Sequence, residues 1–120
     1  MKFGISTFVN DDSIDTVSLA RAIEERGFES LVIAEHTHIP ASRETPYPGG
    51  GELPQIYYRT LDPFVTLAAA AAVTSKIELF TGIALLIQRD PIITAKEAAS
   101  IDLISGDRFV VGVGAAGSGR

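Results

Sequence analysis

The sequence predicts an α/β fold of order βαβαβαβ, a parallel sheet with helices packed on it. Three observations carry this. Short apolar runs rich in branched side chains alternate with longer stretches of helical spacing. Two of the helical stretches open with the same Asp-Pro start, Asp62-Pro63 and Asp90-Pro91. Turn residues, Gly27, Ser75-Lys76 and Gly106, separate the segments. Alternation of this kind argues for parallel strands joined by right-handed helical crossovers.

In order along the chain, Lys2–Phe8 reads as a buried first strand and Asn10-Asp11-Asp12 as a turn. Asp12 or Ser13 is expected to cap a helix reaching about Arg26, with Leu19 and Ile23 on its apolar face and Gly27 ending it. Ser30–Ala34 is the second strand, and Glu35-His36 follows directly. Residues 37–61 form a long loop with four prolines and the run Gly49-Gly50-Gly51. Loops of that length in compact domains are functional or disordered. Tyr47, Tyr57 and Tyr58 in it either pack the loop onto the body or line a site.

The helix Phe64–Val73 is alanine-rich, with Phe64, Leu67, Ala68 and Ala71 on one stripe. Ile77–Ile83 is the third strand, interrupted at Thr81-Gly82. In the last helix Asp90 supplies the N-cap, and Pro91 sits where its missing N–H is harmless. Ile92, Ala95, Ala99 and Leu103 share one face, expected to meet the sheet, and Gly106 closes the helix. Phe109–Val113 is the fourth strand, and Gly114–Arg120 carries no structural signal. Arg108 is expected to tie the Gly106 turn to Asp102.

The length, 120 residues, suits one domain. A net charge of −5 argues against a nucleic-acid or anionic-membrane surface. There are no cysteines, so disulfides and thiolate metal sites are excluded and a cytoplasmic setting is expected. No apolar run reaches the roughly 20 residues of a membrane span, and the N-terminus lacks a secretory pattern.

Parallel α/β folds bind ligands beyond the carboxyl ends of their strands. Here that rule marks Thr7-Phe8, Glu35-His36, Thr81-Gly82-Ile83 and Gly112–Gly114. A Glu-His pair directly after a buried strand is hard to explain by packing alone. His36 suits general acid/base work or hydrogen bonding to an anionic ring, since an imidazole titrates near pH 6.5. The alternative is a supporting histidine held by Glu35. His36 and His38 form a His-x-His pair, but a metal site would need carboxylates from elsewhere, and none is expected. Gly112–Gly117 fits G-x-G-x-x-G, yet a dinucleotide site needs a helix and a further strand after it, and three residues remain.

Taken together, the residues resemble the N-terminal half of the bacterial luciferase-like monooxygenase superfamily, especially its branch using coenzyme F420. The resemblance spans essentially the whole chain. It rests on Gly27–Leu31, Ile33–His36, Leu61-Asp62-Pro63, Thr81-Gly82-Ile83 through Arg89-Asp90-Pro91, Ala95–Ala99, Leu103, Ser105-Gly106, Arg108-Phe109 and Gly112–Gly114. It implies strands one to four of a (β/α)8 TIM barrel whose open end holds coenzyme F420 or FMN for hydride or oxygen transfer on a small organic substrate. It further implies that Glu35 and His36 lie at the cofactor, with His36 the catalytic residue. A non-prolyl cis peptide at Gly82-Ile83, with Thr81 beside it, would back the ring. Where the family usually carries a glycine and a tryptophan after the fourth-strand Gly-x-Gly, this chain has Ala115-Ala116-Gly117.

A full barrel needs about 250 residues. Half of one leaves sheet edges open, so self-association or a missing C-terminal half is expected. Two other readings compete: a non-catalytic half barrel, and a metal-dependent barrel hydrolase using His36 and His38.

Overall fold

The computed structural model describes residues 1–42, 44 and 46–115. Strand β1 (Gly4–Thr7) leads through helix α1 (Thr16–Glu25) to β2 (Ser30–Ile33). The long loop carries a one-turn helix, α2 (Ile56–Arg59), before helix α3 (Pro63–Val73) and strand β3 (Glu78–Thr81). A short strand β4 (Ala84–Leu85), a 3-10 turn (Leu86–Gln88), helix α4 (Pro91–Ser105) and strands β5 (Phe109–Val110) and β6 (Val113–Gly114) follow.

Strands β1, β2, β3 and β5 form one parallel sheet in that order, and β4 pairs with β6 in a second parallel ribbon. This is the expected architecture, the first four strands of a (β/α)8 barrel, with strands three and four each broken in two. Thr7, Ile33 and Thr81 stand level across the sheet. Residues of alternate parity face opposite ways. Leu31, Ile33, Leu79 and Thr81 are buried beneath the helices. Ser6, Val32, Phe80 and Val110 form a level row on the other face, the interior side of a barrel.

The core lies between sheet and helices, built from Ala20, Ile23, Leu31, Ile33, Phe64, Leu67, Ala70, Ile77, Leu79 and Ile101. Each fully buried aliphatic side chain contributes about 1.5–3 kcal/mol relative to exposure. Asp62 and Asp90 cap α3 and α4 as expected, accepting from Phe64 and Val65 and from Ile93. Gly106 ends α4 in the left-handed region at φ 68°.

The structure corrects several local expectations. The cap of α1 is Asp15, whose carboxylate accepts from the Ser18 N–H at 2.9 Å, because the chain turns through Asn10–Ser13 first. Arg108 does not reach Asp102. It donates instead to the carbonyls of Ser105, Ile77 and Thr74, pinning the α3–β3 connection. The supposed core stripe of α4 faces outward, with Ile92 78% and Leu103 83% exposed. The buried face is Thr94, Ile101 and Ser105, with Ala98 packed against the core. The fourth strand extends to Gly114. The G-x-G-x-x-G pattern runs on into Ala116 and Gly117, outside the described residues.

Candidate active site

Strand three breaks after Thr81, where the Gly82-Ile83 peptide is cis, as the resemblance implied. The Gly82 N–H donates to the Ile33 carbonyl at 2.7 Å, holding the break against the end of β2. The Gly112 carbonyl fills the gap on the other side. It accepts from the Ala84 N–H at 2.7 Å and from the Thr81 hydroxyl at 2.8 Å. Glycine is required here by close approach: a Cβ at Gly112 would stand 2.2 Å from the Thr81 carbonyl oxygen. One at Gly82 would stand 2.2 Å from Val32 Cγ1. Ile83 is left half-exposed beyond the strand ends, its side chain lying against Gly112 and Gly114.

His36 stands at the same end of the sheet. Its ring stacks on Phe8, which follows β1, with centroids 5.9 Å apart and planes 19° apart. Tyr57 of α2 meets it edge-on at 4.8 Å. Tyr57 also contacts Phe8 at 5.0 Å and Tyr47 at 5.7 Å. Burial therefore pushes the His36 pKa below its usual value, and the neighbouring Glu35 charge only partly opposes this. A neutral imidazole can accept or donate a proton near neutral pH. His36, Thr37, Thr60, Leu61, Asp62 and Pro63 line a cleft of about 230 Å3.

Two of the expected cofactor contacts turn elsewhere. The Glu35 side chain is 0% exposed. One oxygen accepts from the Leu85 N–H at 2.6 Å, and the other from Arg89 Nε at 2.6 Å. Thr81 is buried, and its hydroxyl is used by Gly112. Both side chains fasten the site rather than face the open end, because each follows the inward parity of its strand. His36, Gly82 and Ile83 remain at the opening.

Sequence reasoning missed Arg89. Its guanidinium also binds Asp62 and lies 3.6 Å from Glu97. Its central carbon stands 4.6 Å from the Phe64 ring centroid. The Arg-Asp-Pro turn held the residue in view, but its partners are 27 and 54 residues away. The loop tyrosines were legible as unusual, and Tyr57 and Tyr47 do pack onto the site. No cluster of three or more metal-ligating side chains occurs among the described residues. No described helix is long and apolar enough to cross a membrane.

Comparison with known proteins agrees with this fold. The family model for luciferase-like monooxygenase matches residues 1–119. The uncharacterized protein Rv0953c of Mycobacterium tuberculosis is 45% identical over 117 residues, covering 95% of this chain and 42% of the relative. The 5,10-methylenetetrahydromethanopterin reductase of Methanopyrus kandleri is 31% identical, covering 95% of this chain and 27% of the relative. The solved structure of the coenzyme F420 dependent tetrahydromethanopterin reductase from Methanopyrus kandleri superposes with a TM-score of 0.68 at 30% identity. That match covers 93% of this chain and 26% of the other. The oxygenating constituent of 3,6-diketocamphane monooxygenase from Pseudomonas putida, in complex with FMN, shares the fold at TM-score 0.73 and 21% identity. It covers 98% of this chain and 30% of the other. The chain thus spans less than half the length of these relatives.

Proposed function

Because the chain belongs to the luciferase-like monooxygenase family, we propose that it supplies the ring-binding part of an oxidoreductase site for coenzyme F420 or FMN. The observation that carries this is the placement of His36 and the Gly82-Ile83 break at one end of the sheet, joined by the Gly82 N–H to Ile33 carbonyl bond. A planar ring fits against the half-exposed Ile83 side chain, which lies over Gly112 and Gly114. When bound, such a ring would supply hydride or oxygen transfer. The chain's own part is to support it at Ile83 and to offer the neutral His36 imidazole for proton exchange with a small organic substrate. The F420-dependent reductase at about 30% identity supports the deazaflavin, and a cysteine-free composition supports a cytoplasmic setting.

Titrating the protein with F420 and with FMN, followed by fluorescence, tests this. Saturable binding of one of them is expected, weakened about tenfold in His36→Ala, the size of one lost hydrogen bond. No binding of either would favour a second reading, a non-catalytic half barrel. One observation supports that reading: Arg89, buried near His36, is bound to Glu35 and Asp62 and so unavailable to a cofactor phosphate.

The described sheet has β1 and β5 at its edges, and Val110 and Val113 of the last strands are exposed. Unpaired edges and an uncovered apolar face favour association. The proposal therefore includes either closure by a second copy or cover by a C-terminal half of the kind the relatives' length implies. Size-exclusion chromatography with light scattering should show the 120-residue chain larger than a monomer; a stable monomer would count against it.

A further inference from the structure

His36 shares its surroundings with two carboxylates. Glu35 precedes it in the chain, and Asp62 lines the same cleft. Both are bound by one guanidinium, that of Arg89, with Nη2 2.5 Å from a Glu35 oxygen and in contact with Asp62. The other charged and titratable groups on this side are placed differently. Arg59 on α2 is bound to Asp11 and Asp12. Tyr57 faces the imidazole as a neutral phenol, raised above its ordinary range first by its hydrogen bond to Tyr47. His38, two residues on, is exposed and contacts the Thr37 hydroxyl at 3.1 Å.

We propose that Arg89 is a positioning residue for His36, neutralising Glu35 and Asp62 together so that the imidazole beside them stays uncharged. The same guanidinium also fixes where His36 stands. Through Glu35, whose second oxygen binds the Leu85 N–H, it ties the end of β2 to β4, just beyond the Gly82-Ile83 break. Arg89 itself is only 11% exposed at its side chain, and its face lies over Phe64, so solvent screens this coupling weakly. The role given to His36 rests on the functional reading above; the electrostatic coupling does not.

Proton NMR of the two imidazoles tests the coupling without any cofactor, with His38→Gln assigning the signals. In the wild-type protein His36 should titrate below the ordinary histidine value. In Arg89→Gln two carboxylates near it lose their counter-ion, and its midpoint should rise by about one pH unit or more. Arg89→Lys, which keeps the charge, should hold it near the wild-type position. Arg89→Gln combined with Glu35→Gln should bring it back down. A folded Arg89→Gln protein with an unmoved His36 midpoint overturns the proposal.

If circular dichroism shows that Arg89→Gln does not fold, Asp62→Asn carries the test, since asparagine still caps α3. There Arg89 keeps more of its positive charge, and the His36 midpoint should fall; no movement overturns the proposal. Adding F420 or FMN afterwards separates the two readings. Failure to bind either cofactor defeats the functional reading and leaves the titration result standing.

Discussion

Arg89→Ala is expected to lower the unfolding free energy by about 3–5 kcal/mol, the range for removing one partner of a buried ion pair. The loss comes mainly from what remains. Glu35 has no exposed side-chain surface, and without Arg89 only the Leu85 N–H would hold its carboxylate among described residues. The cation over Phe64 and the link to Asp62 at the start of α3 would go as well. The comparison is Arg59→Ala. Arg59 also binds two carboxylates, Asp11 and Asp12, but both are largely exposed, and solvent screening leaves such pairs little effect on stability. Urea unfolding followed by circular dichroism measures both. Equal losses from the two substitutions would show that burial does not set the ranking. Arg89→Ala with Glu35→Ala should lose less than the sum of the single changes, since neither charge is then left alone.

Gly112→Ala should be the second most damaging change. The added methyl would meet the Thr81 carbonyl at 2.2 Å, and that neighbour is backbone, which cannot rotate aside. Forcing an extra group into a packed site costs about 1–3 kcal/mol. Moving Gly112 also endangers two hydrogen bonds to its carbonyl, from Ala84 and from the Thr81 hydroxyl, worth about 1 kcal/mol each. Gly114→Ala is the informative contrast. Its methyl would meet the Ile83 side-chain tip at 1.8 Å, which can swing away. Gly114→Ala should therefore unfold closer to wild type in urea while disturbing Ile83, where the ring is proposed to lie. A Gly114→Ala protein as unstable as Gly112→Ala would mean that Ile83 is locked in place.

Much of the candidate site is legible in the sequence, and the parts that are not share one cause. The ends of the strands were located by a break in an apolar run at Thr81-Gly82 and by the polar pair after Ile33. His36 and Gly82 are indeed brought to one end. What those positions do with their side chains was not readable. Glu35 and Thr81 point inward because strand parity and the demands of Arg89 and Gly112 orient them, and both partners are remote in sequence. The resemblance to a family located the pair but could not say which of the two faces the opening.

The local chemistry of the chain by itself determined the order of the main strands and helices and the caps of α3 and α4. Asp62-Pro63, Asp90-Pro91 and Gly106 act within one helical turn, so their partners lie only a few residues away. Tertiary structure alone decided the inward face of α4. Ile92, Ala95, Ala99 and Leu103 make the more apolar stripe, yet Thr94, Ile101 and Ser105 are the residues buried. A helix carries apolar groups on more than one side, and its rotation is set by what it packs against. Here that is α3 and β5, with Glu97 drawn toward Arg89. Those contacts exist only once the sheet has brought distant segments together.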